Sequence, residues 1–298
     1  MEMLTLNHVA KNFGEKQVLC DVSFSVPEHT VFGFVGQNGA GKTTAMKMIL
    51  GLLTVSKGEI TVDGMPVRYG NTPTNRLVGY LPDVPEFYPY MTPLEYLKFC
   101  GEISGTPARE IKSRSEELLR LVGLDKEKHR IKGFSRGMKQ RLGVAQALFG
   151  RPKLLICDEP TSALDPAGRK ELLDILTAAK EETTVLFSTH ILSDVEHICD
   201  EMAFLHEGKI ALQGSLEEVR KIRKASAVTV EMERREDACI LRQAFPFLKS
   251  SGKNSFLLEE AEHLPKILHF IADRKSPIIR IERQEAALED LFMEVIGR

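Results

Sequence analysis

The run Gly36-Gln37-Asn38-Gly39-Ala40-Gly41-Lys42-Thr43 has the spacing of a loop that can hold phosphate. Its glycines let successive backbone N–H groups turn inward around an anion, and a helix starting behind the loop adds its partial positive charge. Lys42 is placed to reach the outer phosphates and the Thr43 hydroxyl to ligate Mg2+, with Thr44 next in the same turn. The setting agrees with this chemistry. An apolar run at 31–35 predicts a strand before the loop, and a helical run over 42–53 follows it. A merely flexible glycine loop needs neither.

A second group stands at Leu154-Leu155-Ile156-Cys157-Asp158-Glu159. The four apolar residues predict a buried strand, and the two acids sit where it emerges. Paired carboxylates beside a sheet core are costly unless a cation or a substrate proton compensates them. Asp158 is placed to hold Mg2+, directly or through water, and Glu159 to polarise an attacking water. The plain alternative is a solvated Asp-Glu turn, and the phosphate loop upstream argues against it.

The elements that must carry these residues follow from periodicity. Strands are predicted at 3–9, 18–26, 30–35 and 59–62, with further short runs at 67, 154–157 and 184–188. Thr92-Pro93-Leu94-Glu95 is a capping box with proline at the first helical position, opening a helix through Cys100. Residues 108–122 and 138–149 repeat at helical spacing, so 83–150 reads as a helical insertion. Asp165-Pro166 caps a helix to about Lys180, and Ser193-Asp194-Val195-Glu196 has the form of a second capping box. Strands alternating with helices imply a mostly parallel sheet covered on both faces. The basic run Arg220-Lys221-Ile222-Arg223-Lys224 marks a boundary between domains 1–220 and 221–298. Beyond it, strand-like 226–232, 254–259 and 277–283 alternate with helix-like 236–245, 262–274 and 286–296, a small α+β domain.

Composition bounds the rest. The 298 residues are 43% hydrophobic and 28% charged with a net charge of −2, an ordinary globular balance that offers nucleic acid no bulk attraction. Five cysteines stand singly, which suits a reducing compartment better than a disulfide framework or a zinc site. The beginning, with Glu2 and no basic-then-apolar pattern, shows no export signal, and no apolar run approaches the ~18 residues that span a bilayer. Work on a membrane therefore needs a partner.

Phe134-Ser135-Arg136-Gly137-Met138-Lys139-Gln140-Arg141, upstream of Asp158, resembles the signature segment of ATP-binding cassette ATPases. Thr161-Ser162-Ala163-Leu164-Asp165 is similar to their D-loop, Ser188-Thr189-His190 to their switch histidine, and Phe13 stands where they carry an adenine-stacking aromatic. The resemblance covers about residues 1–215 in the family's order. It implies a P-loop NTPase cassette, a mixed sheet core with a helical insertion, that binds ATP with Mg2+ and hydrolyses it. Ser135, Arg136, Gly137 and Met138 would close on the nucleotide of a second copy or a related cassette. His190 would contact the γ-phosphate, and Asp165 would link the two sites. Two departures from the family pattern matter. The usual Leu-Ser-Gly-Gly-Gln signature reads Phe-Ser-Arg-Gly-Met here, with Arg136 in place of a glycine, and Asp83, in Gly79-Tyr80-Leu81-Pro82-Asp83, replaces a glutamine; Asp83 is expected to meet Mg2+ or the water.

The tail Ala287-Leu288-Glu289-Asp290-Leu291-Phe292 looks like that of cassettes serving two-component, exporter-type permeases. The implied role is the ATPase subunit of an exporter, peripheral on the cytoplasmic face of the cell membrane, dimeric, with a separate integral permease as partner and no nucleic acid. The alternatives are a soluble cassette ATPase working on ribosome or nucleic acid, and a nucleotide-gated module that hydrolyses little.

Overall fold

Short β-branched and aromatic runs in the first 216 residues pair into one sheet, and the helices between them cover both its faces. The computed structural model of the protein describes residues 1–222, 228–258, 261–283 and 288–296. The chain divides into two compact units, Met1–Leu216 and Glu217–Arg298. That division falls slightly ahead of the basic run at 220–224, of which residues 223 and 224 lie outside the described residues.

The first unit contains β1 (Glu2–Phe13), β2 (Lys16–Pro27), β3 (Val31–Gly36), β4 (Lys57–Val62), β5 (Met65–Pro66), β6 (Val78–Leu81), β7 (Leu154–Asp158), β8 (Thr184–Thr189), β9 (Glu201–His206) and β10 (Lys209–Ser215). Their order is β5-β4-β1-β2-β10-β9-β3-β8-β7-β6. Strands β9, β3, β8, β7 and β6 run parallel. The β1/β2, β1/β4, β4/β5 and β9/β10 pairs are antiparallel. The sheet is thus mixed rather than mostly parallel, because β1/β2 and β9/β10 join through tight turns with no helix between them. Strands β9 and β10 are absent from the sequence reading.

Helices α1 (Lys42–Ile49), α2 (Pro93–Ile103), α3 (Ala108–Leu121), α4 (Arg136–Leu148), α5 (Pro166–Ala179) and α6 (Leu192–Ile198) complete the order of the first unit, and α7 (Leu216–Ile222) starts at the division between the units. Side-chain alternation divides the core. On β7, Leu154 and Ile156 pack with Phe34 and with Met46 of α1, while Leu155 and Cys157 pack with Leu142 of α4 and Leu176 of α5. Each such side chain contributes about 1.5–3 kcal/mol by leaving water, and Ile156→Ala would cost about 2–5 kcal/mol.

Three local readings change in the structure. Helix α1 stops at Ile49 and not at 53, because Gly51 takes a left-handed conformation, φ 69°, that ends it. Helix α2 begins as expected, with the Thr92 hydroxyl accepting from Glu95 N and Glu95 Oε2 accepting from Thr92 N at 2.8 Å, and continues past Cys100 to Ile103. The second capping box is not formed: Ile191 occupies the N-cap of α6, Ser193 Oγ accepts from Arg169, and Asp194 is buried. A long-range ion pair has taken the side chains that a local cap needs.

The second unit contains β11 (Val228–Met232), α8 (Arg235–Ala244), β12 (Lys249–Ser250), β13 (Ser255–Leu258), α9 (Leu264–Asp273), β14 (Ile278–Arg283) and α10 (Leu288–Ile296). Its antiparallel sheet has the order β12-β13-β11-β14, so β11 and its crossovers form a split β-α-β arrangement. Val228, Val230 and Met232 alternate toward a core shared with Leu241 of α8 and Ile267 of α9. The beginning of the predicted 226–232 strand, the end of the 254–259 strand, and residues 286, 287 and 297–298 lie outside the described residues.

Candidate nucleotide site

The loop between β3 and α1 is built around its glycines. A Cβ at Gly36 would stand 2.6 Å from the Leu205 carbonyl of β9. Gly41, the N-cap of α1, has φ 111°, and a Cβ there would stand 2.7 Å from Leu19 Cδ2. Side chains are therefore excluded where backbone N–H groups must face an anion. Asn38, Gly39, Ala40, Gly41, Lys42, Thr43 and Thr44 line an open cleft of about 580 Å³ with Glu159. Gln37 is exposed beside them and its carbonyl accepts from Lys42 Nζ at 3.2 Å.

Lys42 is 5% exposed, and its ammonium donates to the Gly36 carbonyl at 2.7 Å and stands 3.0 Å from Glu159 Oε1. Glu159 holds φ 47°, a left-handed conformation that costs a non-glycine residue on the order of 1–3 kcal/mol. That backbone turn at the tip of β7 brings its carboxylate between two bases: Oε1 meets Lys42, and Oε2 lies 2.8 Å from Nδ1 of half-exposed His190. Oε1 is buried and receives no aligned hydrogen-bond donor, so the Lys42 ammonium 3.0 Å away is the charge that compensates it.

Asp158 is anchored by register. It pairs with Ser188 across β7 and β8, the Ser188 hydroxyl donates to Asp158 Oδ1 at 2.7 Å, and the Glu159 N–H donates to the same hydroxyl at 2.9 Å. Burial, with the Asp158 charge nearby, pushes the Tyr80 phenol up to about 12 and the Cys157 thiol higher still, so neither ionises beside the acids near neutral pH. Thr43 and Asp158 offer hard oxygen donors suited to Mg2+. No cluster of three or more His, Cys, Asp or Glu able to hold a metal occurs among the described residues. The donors present fit an ion whose coordination is completed by phosphate and water.

The remaining expected residues fall elsewhere. Phe13, half-exposed with Lys11 Nζ 5.0 Å from its ring centre, pairs across the β1/β2 hairpin with Lys16, a cleft residue. Ser135 caps α4, its Oγ accepting from Met138 N at 3.2 Å. None of Ser135, Arg136, Gly137 and Met138 lines the cleft. Asp165 occupies the N-cap of α5 without a side-chain capping bond.

Asp83, expected to meet Mg2+ or the water, is also absent from the cleft and lines a separate groove of about 470 Å³ with Phe87, Ile131, Lys132, Arg136 and Lys139. Its Oδ1 accepts from Ser162 and Arg136.

Sequence reasoning missed Lys16, Gln17, Val18, Glu207 and Gly208, which close the cleft from β2 and from the β9–β10 turn. The Glu207-Gly208 turn flanked by alternating apolar residues was the available signal. It also missed Asp194, whose carboxylate accepts from Thr161 at 2.6 Å and pairs with Arg169, tying α6 to the segment after Glu159.

Residues 19–162 match the ABC transporter family. YxlF of Bacillus subtilis (strain 168), an uncharacterized ABC transporter ATP-binding protein, is 36% identical over 99% of both chains. The chain belongs to the ABC transporter family. The bacitracin transport ATP-binding protein BcrA of Bacillus licheniformis is 32% identical over 97% of this chain and 95% of its own. A solved ATP-binding subunit of an ABC transporter superposes with a TM-score of 0.65 at 32% identity, covering 74% of this chain and 92% of that one.

As a family member the chain is an ATP-binding, ATP-hydrolysing component of an ABC transporter, and the cleft is where its phosphate loop stands. Among the described residues, no helix is long and apolar enough to cross a membrane.

Proposed function

We propose that the chain powers an exporter, working as a cytoplasmic dimer docked on a separate integral membrane permease. The observation that carries the dimer is the separation within one chain of two anion-binding ends. The phosphate loop and α1 line the cleft, whereas the α4 end at Ser135 does not. A nucleotide held by one copy would meet the α4 end of another, and each cleft would be completed only on pairing.

In this reading Lys42 and the loop N–H groups bind the β- and γ-phosphates, and Phe13 and Lys16 flank the nucleoside end. Glu159 orients and deprotonates the water while His190 holds its second oxygen. Ser188 fixes Asp158, which with Thr43 would hold Mg2+, and the ion would supply positive charge against that developing on the phosphates. The domain division at 220/221 and the exporter assignment rest on the same reading. The exporter role is supported by the likeness to BcrA along almost the whole chain.

The permease would dock on the groove at 83–89 and 131–139. Val84, Tyr88 and Tyr90 are exposed there, and Tyr88 stacks edge-on to Phe99, so a rigid aromatic surface borders the groove. Size exclusion of the Glu159→Gln variant with ATP and Mg2+ tests the dimer: a twofold larger species is expected, and a monomer at saturating ATP refutes it. Cross-links from a co-purified membrane protein to the second unit alone, never to 83–100, would refute the docking surface.

A further inference from the structure

Asp83 and Arg136, which both depart from the family pattern, touch one another. Arg136 Nη2 lies 3.3 Å from Asp83 Oδ1, and the same oxygen accepts from Ser162 Oγ at 2.6 Å. The Asp83 carbonyl accepts from Nε2 of Gln140, which is fully buried on α4, at 2.5 Å. One residue thus joins three segments: the stretch after β6, the start of α4, and the loop between Glu159 and α5. Ser162 is itself one turn from Glu159, its N–H donating to the Glu159 carbonyl at 3.1 Å.

Stability does not account for this arrangement. The Asp83 and Arg136 side chains are 48% and 45% exposed, and an ion pair so open to water adds little to folding. A displacement of the α4 end, however, reaches the Glu159 loop through a single carboxylate. Gln140 fixes the backbone that carries it, so the carboxylate cannot follow one neighbour without pulling the other.

We infer that Asp83 is a positioning residue that holds the Arg136 end of α4 and the Ser162 segment after Glu159 in one geometry, so that phosphate capture at α4 and water activation at Glu159 proceed together. The inference rests on the dimeric reading, in which that α4 end serves the second copy's nucleotide. It differs from metal ligation in what it requires of Asp83: a bond to Ser162 and Arg136 and no contact with the cleft.

The test separates turnover from binding in the full chain. Asp83→Ala lowers kcat about tenfold through misplacement while the Kd for ATP stays within about twofold. Asp83→Asn, which keeps an acceptor for Ser162 and loses the charge facing Arg136, falls between wild type and Asp83→Ala. Adding Ser162→Ala to Asp83→Ala lowers kcat by less than about twofold more, because residues acting as one unit are not additive. Melting curves check that each variant is folded. Turnover of Asp83→Ala equal to wild type, a tenfold loss of ATP affinity in it, or losses that multiply in the double variant would each overturn the inference. A Glu159→Gln variant that never dimerises removes the dimeric reading, whereas the non-additivity of Asp83 and Ser162 is read independently of it.

Discussion

Lys42 Nζ stands 3.0 Å from Glu159 Oε1, and the other oxygen of that carboxylate lies 2.8 Å from His190 Nδ1. The lysine comes from the first turn of α1, the glutamate from the tip of β7, and the histidine from the residue after β8. A buried ammonium needs a compensating charge, and here the residue that would activate water supplies it. Incoming phosphate must compete with Glu159 for Lys42.

This competition gives a signed prediction. Glu159→Gln removes the charge that holds Lys42, so ATP affinity should rise several-fold even as turnover falls roughly 10²–10⁴-fold with the loss of the base. Equilibrium binding of a fluorescent ATP analogue, read beside steady-state phosphate release, checks both. Weaker binding in the variant would contradict the competition.

Asp194 is 1% exposed and serves both Thr161 and Arg169. Asp194→Ala leaves the buried Thr161 hydroxyl without its acceptor and should cost about 1–3 kcal/mol in chemical denaturation. Turnover should fall as well, because Thr161 lies in the loop that follows Glu159. An unchanged denaturation midpoint would remove Asp194 from the framework of the site.

The capping box of α2 is pH-dependent. Hydrogen bonds from the Thr92 backbone and then its hydroxyl hold the Glu95 carboxyl below its ordinary 4.5. A group whose folded pKa is lowered stabilises above its unfolded value and loses that contribution as pH falls through the folded one. Wild type should thus melt above Glu95→Gln at neutral pH, and the gap should close on acidification below 4.5. A gap that persisted in acid would point to packing rather than charge.

Cysteine reactivity should follow burial. Burial pushes the Cys157 and Cys199 thiols up, and Cys239 is exposed. Maleimide at neutral pH should label Cys239 within minutes and Cys157 only on unfolding, as read by peptide mass spectrometry. Early labelling of Cys157 would show that β7 opens in the native protein.

Much of the site was legible in one dimension. The phosphate loop, the strand before it and the helix after it are contiguous, and so are the apolar run and the acids of β7. Local hydrogen bonding and side-chain period suffice to read such elements. Thr92 and Glu95 likewise declare a helix start three residues apart. The readings that failed involve residues claimed by distant partners, such as Ser193 and Asp194, taken by Arg169 and Thr161.

The amino-acid order by itself determined which residues could hold phosphate, ligate a hard cation and activate water, because those capacities reside in residue type and near-neighbour spacing. It also determined that strands and helices would alternate around them. Only the tertiary structure decided that Asp83 belongs to Arg136 and Ser162, 53 and 79 positions away, and not to the cleft. It alone decided that the β9–β10 turn closes the cleft. Such contacts depend on the stacking order of strands and on which side chains can satisfy one another once buried, and no local period encodes either.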